Sequence, residues 1–327
     1  MKILVALYSP VAAWNIPPAQ VDRMRTAFPQ HQFHHATSEE QATALAPGAD
    51  VAFMAELRPA HFAAARQLRW IHSSAAGVGN MLFPELVRSD VVLTNSSGVS
   101  ADSIAEHVLG LTLALFRKLP DAFRSQTARH WAQNDLVAPP PLRHVQGARV
   151  LIVGLGSIGA ACAWRLAALG ATVTGIRRRL DQPTPPGVSL VAPLDRLREF
   201  LPSADVVVIS AAQTDATRGL IGESELSLMP ADAILINVSR GKLVDERALI
   251  AALRQGRIGG AGLDVFEHEP LAPDSTLWGL PNAIITPHMA GFRPDHWDAV
   301  TALFAENLRR FERGEPLQNV VDKSAGY

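Results

Sequence analysis

Val150-Leu151-Ile152-Val153-Gly154-Leu155-Gly156-Ser157-Ile158-Gly159 decides the fold. Four apolar residues run into G-x-G-x-x-G, a helical segment spans Ala160 to Leu169, and a second apolar run covers Ala171 to Ile176. Strand, glycine turn, helix and strand in that order form the first unit of a dinucleotide-binding fold. Gly154 permits the tight turn, Gly156 lets the backbone approach a pyrophosphate, and Gly159 lets the helix pack on the strand. Amides at the helix start, around Ser157 and Ile158, face the anion. A glycine turn alone is weak evidence. Between a buried strand and a helix, with a second strand following, it favours a phosphate cradle over a plain turn.

The second strand ends in Arg177-Arg178-Arg179, and no carboxylate follows until Asp181. An acid at that tip would hold the ribose hydroxyls of NAD, whereas guanidinium groups suit a 2′-phosphate. The expected cofactor is therefore NADP(H), with NAD(H) possible. A solvated basic loop end is the plainer explanation, and position favours the functional one.

A chain of 327 residues has room for two domains with good cores. Its net charge of −1 gives no basic surface for nucleic acid or membrane. No apolar run is long enough to span a bilayer, and Ile3 to Leu7 is too short for a signal-peptide core. A cytoplasmic protein is expected. The single cysteine, Cys162, excludes disulfides within the chain and reads as a small core residue.

Before residue 98, strand-like and helical segments alternate, which implies a small parallel sheet covered on both sides. The cluster His31, His34, His35 reads as solvated surface rather than metal ligands, and no metal site is expected. Ser103 to Lys118 is a long helix, apolar nearly all round and so buried, in part against another subunit. After Gly291 one long helix remains, from about Pro294 to Glu312. The tail GEPLQNVVDKSAGY follows it. With no partner strand nearby, this end is expected to cross back onto the N-terminal domain.

Three segments fall at the carboxyl ends of successive strands, where ligands bind in open α/β sheets. They are Asn237 to Gly241, Asp264 to Pro270, and Thr286 to Gly291. Arg240 can hold a carboxylate and polarise a carbonyl. His288, stiffened by Pro287, is a natural proton donor near neutral pH. Glu269, placed before Pro270, would stabilise its charged form. Singly, each is as easily a surface arginine, a loop charge or a structural histidine. Together they make a catalytic set, and His268, with no strand immediately before it, ranks below His288. Val238, Ser239, Asp264 and Gly291, on the same strand ends, are candidate cofactor contacts.

With these segments in place the chain resembles the D-isomer-specific 2-hydroxyacid dehydrogenase family. The resemblance rests on GLGSIG, INVSRGKLVDERAL, GGAGLDVFEHEPL and ITPHMAG in order, and extends to AAGVG, TNSSGVSADSIAEH and LRRFERGEPLQNVVD. It implies two doubly wound parallel-sheet domains of α/β class. A Rossmann-type cofactor domain, residues 99–291, is inserted in a flavodoxin-like substrate domain of residues 1–98 and 292–327, with the active site in the cleft. It implies that Arg240, Glu269 and His288 are catalytic, that Ala76 and Gly77 bind the substrate carboxylate through backbone amides, and that the helix from Ser103 makes a homodimer.

Departures narrow the choice. Ala212-Gln213-Thr214 replaces a common Pro-Leu-Thr, and Arg177 stands where the ribose-binding acid would be, as in NADP-using members. Ala76 stands where phosphite-oxidising relatives carry Lys, and Glu269 where formate dehydrogenases carry Gln. No extra C-terminal domain is expected after the tail, against the longer phosphoglycerate dehydrogenases. The expectation is an NADPH-preferring reductase of small 2-oxo acids such as glyoxylate or hydroxypyruvate. The alternatives are a dehydrogenase for a bulkier acid, with Trp131 or Trp297 as the pocket's far wall, or a dinucleotide-sensing co-repressor-like protein.

Overall fold

Apolar runs become the strands of two separate sheets. In the computed structural model, which describes residues 1–326, the chain divides into two compact units. One is Met1–Val99 with the segment from Arg293 onward; the other is Ser100–Phe292.

The first unit holds β1 (Lys2–Ala6), β2 (Gln32–Ala36), β3 (Val51–Met54), β4 (Trp70–Ser73) and β5 (Val92–Thr94). They lie in the order β2-β1-β3-β4-β5, all parallel, which is the flavodoxin-like winding. β3 and β4 are buried at every position, as parallel strands covered on both faces must be. The helix His296–Arg313 supplies part of that cover. Its Phe304 ring stacks 4.4 Å from Phe53 and 5.2 Å from Trp70, and all three are fully buried. Such aromatic pairs add about 0.5–1.5 kcal/mol each beyond area burial.

The chain's end returns to the N-terminal unit as expected: Thr94 and Val320 form an antiparallel bridge, and the Val321 N–H donates to the Leu93 carbonyl at 2.8 Å, whereas one other expectation needs correction. β5 is an edge strand, and its open side offers unpaired backbone groups to any extended segment. The histidine cluster is not simply solvated. His34 and His35 lie half-buried in β2, while His31 stacks on Phe28 and places Nε2 2.9 Å from the Glu312 carboxylate.

The second unit holds β6 (Arg149–Val153), β7 (Thr172–Ile176), β8 (Val188–Ala192), β9 (Val206–Ile209), β10 (Ile234–Asn237), β11 (Gly260–Leu263) and β12 (Ala283–Ile285). The order β12-β11-β10-β9-β6-β7-β8 is parallel throughout and contains the Rossmann arrangement, with its reversal between β6 and β9. The centre is the most apolar part: Val150 pairs with Val206, which pairs with Ile234, and β9 and β10 are wholly buried. The helix Ala101–Phe116 buries Ala101, Ala105, Val108, Leu111, Thr112 and Phe116 at helical spacing. It is not buried all round, since Leu113 is exposed. Among the described residues no helix is long and apolar enough to cross a membrane.

Candidate active site

The glycine turn joins β6 to the helix Ser157–Ala168. Gly154 has φ +101°, and a Cβ there would lie 2.5 Å from the Ala211 nitrogen in the loop after β9. A Cβ on Gly159 would come within 2.0 Å of the Gly154 carbonyl oxygen, so the helix start packs hard on the turn. Gly156 differs: a Cβ there would meet nothing within 4 Å. As the helix cap it offers no side chain to the amides of the first turn. The turn is thus closed toward the sheet and open in front of a helix N-terminus, which fits a pyrophosphate.

Arg240, Glu269 and His288 follow the last residues of β10, β11 and β12. The buried Asn237 side chain shapes the first loop, donating to the Arg240 carbonyl at 3.0 Å and accepting from the Ser239 N–H at 3.1 Å. Arg240 donates through Nη1 to the Ser239 carbonyl at 2.7 Å. Burial pushes its guanidinium below the ordinary range, and the Glu269 charge works in the opposite sense. The Arg240 and Glu269 loops touch main chain to main chain, because a Cβ on Gly241 would lie 1.8 Å from the Phe266 carbonyl carbon.

Glu269 Oε2 meets His288 Nδ1 at 2.6 Å, while Oε1 accepts from the Phe266 N–H at 3.0 Å. Burial would raise this carboxyl's pKa. The hydrogen bonds from His288 and Phe266, with the charges of His288 and Arg240, outweigh burial and hold it below the ordinary range. His288 Nδ1 is thereby engaged, which leaves Nε2 as the ring's outward atom. About half of the His288 side chain is exposed.

His288 has φ +51°, left-handed backbone that costs a non-glycine residue about 1–3 kcal/mol and is characteristic of functional sites. Asp264 holds it there. The Asp264 carbonyl accepts the His288 N–H at 2.9 Å. Its buried carboxylate accepts from Thr286 Oγ1 at 2.6 Å and from the Met289 and Ala290 N–H groups at 2.9 Å each. Behind Thr286, His107 places Nε2 3.0 Å from the threonine hydroxyl. Asn237, Thr286 and His107 were not singled out from the sequence. A histidine inside an apolar helix was the visible sign for His107, and a polar residue between a strand and Pro287 was the sign for Thr286.

Residues 109–290 match the model of the D-isomer specific 2-hydroxyacid dehydrogenase NAD binding domain. The chain belongs to the D-isomer-specific 2-hydroxyacid dehydrogenase family. A glyoxylate reductase of Korarchaeum cryptofilum is 37% identical over 269 residues, 80% of this chain and 78% of that protein. A crystal structure of a family member from Xanthobacter autotrophicus Py2, in complex with NADPH and MES, is 33% identical. It superposes with a TM-score of 0.86 over 100% of this chain and 99% of its own. An NADPH-dependent glyoxylate/hydroxypyruvate reductase of Sinorhizobium meliloti, solved with NADP and sulfate, is 28% identical with a TM-score of 0.85, covering 100% and 99%.

This dehydrogenase is an NAD(P)-dependent oxidoreductase of 2-hydroxy and 2-oxo acids, and its second unit carries the dinucleotide-binding domain. At the tip of β7, Arg177 turns its guanidinium to the carbonyls of Pro183, at 3.0 Å, and Gln182, so it shapes its own loop. Its Nε is buried with no acceptor among the described residues. Arg178 is exposed at the same tip. Two arginines in succession, where a ribose-binding acid would otherwise stand, are of the charge that suits a 2′-phosphate.

In the first unit, Ala75, Ala76 and Gly77 are exposed in the loop after β4. Trp131 is 87% exposed, and Trp297 donates to the Ala13 carbonyl at 3.2 Å with its ring against His296. His268 is exposed, and no hydrogen bond ties its ring among the described residues.

Proposed function

We propose that this dehydrogenase reduces small 2-oxo acids of the glyoxylate and hydroxypyruvate kind to D-2-hydroxy acids, with NADPH preferred over NADH. The observation that carries the reading is the 2.6 Å contact of Glu269 with His288 Nδ1, on strand ends that also carry Arg240. A bound nicotinamide supplies the hydride. Arg240 pairs with the substrate carboxylate and polarises the neighbouring carbonyl. His288 delivers a proton from Nε2 to the carbonyl oxygen, while Glu269 fixes the ring through Nδ1. Gly154, Gly156, Ser157, Ile158 and Gly159 form the phosphate cradle, with Val238, Ser239 and Gly291 further along the strand ends. Asp264 serves the His288 loop, and Ala76 and Gly77 give backbone amides to the carboxylate.

Arg177 and Arg178, at the tip of β7 where a ribose-binding acid would otherwise stand, are the 2′-phosphate contacts. The two solved relatives carry NADPH or NADP, which supports that choice. The large apolar side chains exposed at Leu119, Phe123, Trp131 and Val137 support a homodimer formed through this region. The unpaired, buried Cys162 suits a reducing, cytoplasmic setting.

The test is initial-rate reduction of glyoxylate, hydroxypyruvate, pyruvate and phenylpyruvate with each cofactor, for the native protein and His288→Ala. Small acids should turn over fastest with NADPH. Losing a positioned acid should lower kcat about 10²–10⁴-fold with NADPH affinity unchanged. Intact turnover in His288→Ala would refute the proton donor. Tight NADPH binding with no turnover of any acid would point to a sensing protein instead.

A further inference from the structure

Two carbonyls of the loop after β4 are pinned from one side. The Ala75 carbonyl accepts from the Ser96 N–H at 3.1 Å, and the Ala76 carbonyl from Asn95 Nδ2 at 2.7 Å. Neither peptide is among the cis bonds of the chain, so both are trans. In a planar trans peptide the N–H points opposite to the C=O. Pinning the Ala75 carbonyl therefore turns the Ala76 N–H away from residues 95–96, and pinning the Ala76 carbonyl does the same for the Gly77 N–H. Among the described residues nothing accepts from either amide. The result is a pair of outward donors on one side of an exposed loop, the arrangement that receives an anion.

Asn95 is itself held. Its side chain is buried, and Oδ1 accepts from the Ser97 N–H at 3.1 Å. The Asn95 N–H donates to the Asn319 carbonyl at 3.1 Å. Asn319 Nδ2 donates back to the carbonyls of Asn95 at 3.2 Å and Ser97 at 2.8 Å. Asn319 sits at φ +54°, a conformation that asparagine tolerates better than most side chains, and leads straight into the Thr94–Val320 bridge. Beneath the loop, Ser96 Oγ donates to the Ser73 carbonyl at 2.9 Å. Every link lies within the first unit.

We propose that Asn95, clamped by Asn319 of the C-terminal tail, is the positioning residue that aims the Ala76 and Gly77 amides at the substrate carboxylate. This rests on the reading that those two amides bind the carboxylate. Neither asparagine touches substrate. Their work is orientation, and it makes the tail a determinant of substrate affinity.

Asn95→Ala removes the donor to Ala76. Asn319→Gly removes the two Nδ2 bonds to Asn95 and Ser97, leaves the backbone bond from the Asn95 N–H, and keeps a residue at home at positive φ, so it guards against loss of fold. Three readouts apply: KM and kcat for glyoxylate, Kd for NADPH, and hydrogen exchange of the Ser96 amide without ligand. In each variant KM should rise about tenfold, about 1.4 kcal/mol. Turnover at saturation and NADPH affinity should hold, and Ser96 exchange should accelerate. Because both residues act through one linkage, the double variant should be no worse than the worse single. Unchanged KM with accelerated exchange would overturn the proposal, as would unchanged exchange or additive effects. Should the native protein not reduce glyoxylate, the functional reading falls by itself; Ser96 exchange then decides the clamp, and retained protection in Asn95→Ala overturns it.

Discussion

Gly241→Ala tests whether the loops that carry Arg240 and Glu269 must meet main chain to main chain. The added Cβ would lie 1.8 Å from the Phe266 carbonyl carbon, 2.0 Å from its oxygen and 2.4 Å from the Glu267 nitrogen. Ordinary contact begins at 3.4 Å, so the loops must part by about 1.6 Å, the gap between 1.8 and 3.4 Å. Backbone atoms cannot rotate aside as a side chain does. Overpacking typically costs about 1–3 kcal/mol, and a collision of this kind belongs at the upper end. For a unit of this size that lowers Tm by about 6–12 °C. The kinetic effect should be larger in proportion, since misplacing a positioned group by about 1 Å costs roughly 10²-fold. The assay pairs a melting curve with NADPH-dependent reduction of glyoxylate. Gly279→Ala is the control, because a Cβ there meets nothing within 4 Å. A Gly241→Ala protein with native Tm and native kcat would show that the two loops are not locked to each other.

Three further outcomes follow from single contacts. Glu269 is held below its ordinary pKa, so the stability it contributes is complete above the unfolded glutamate value and lost as pH falls through the lower folded value. The Tm gap between native protein and Glu269→Gln should accordingly close at acid pH, and a gap that widens there would contradict the sign. Arg177→Asp should move the kcat/KM preference from NADPH toward NADH, whereas an unchanged ratio would assign the 2′-phosphate to Arg178 or Arg179. Burial pushes the Cys162 thiol up to about 12, so the folded protein should resist thiol reagents near pH 8 and react only on unfolding. Fast labelling of the native state would show that this helix opens.

Runs that must be buried on both faces were the most legible. Val150 to Val153, Val206 to Ile209 and Ile234 to Asn237 sit in the sheet centre almost residue for residue. Edges were harder. β8 exposes Ser189 and Leu190 and reads only as a possible strand, and the helix Leu119–Thr127 has no buried residue to give it a period. Site residues were visible where a strand end announces them, as with Arg240 and His288. Their supports were not, because Thr286 meets His107 across 179 positions and Asn319 meets Asn95 across 224. No local pattern encodes such pairings. The left-handed backbone of His288 was hidden for the same reason, since its carrier, Asp264, acts through tertiary contacts.

The placement of Phe304 between Phe53 and Trp70 has a consequence for how the protein is made. Synthesis runs from the N-terminus, and the ribosome delivers about 5–20 residues per second. β1 to β5 emerge early, yet the ring that covers Phe53 and Trp70 emerges only after the whole of residues 100–292. During that interval the first sheet presents an open aromatic face, and at its end the second unit has all of its own sequence while the first does not. Late arrival of the helix His296–Arg313 makes the first unit the one in need of chaperone shelter. A nonsense codon shortly after 293 would release a chain whose dinucleotide-binding unit is whole and whose other sheet stays uncovered and prone to aggregate.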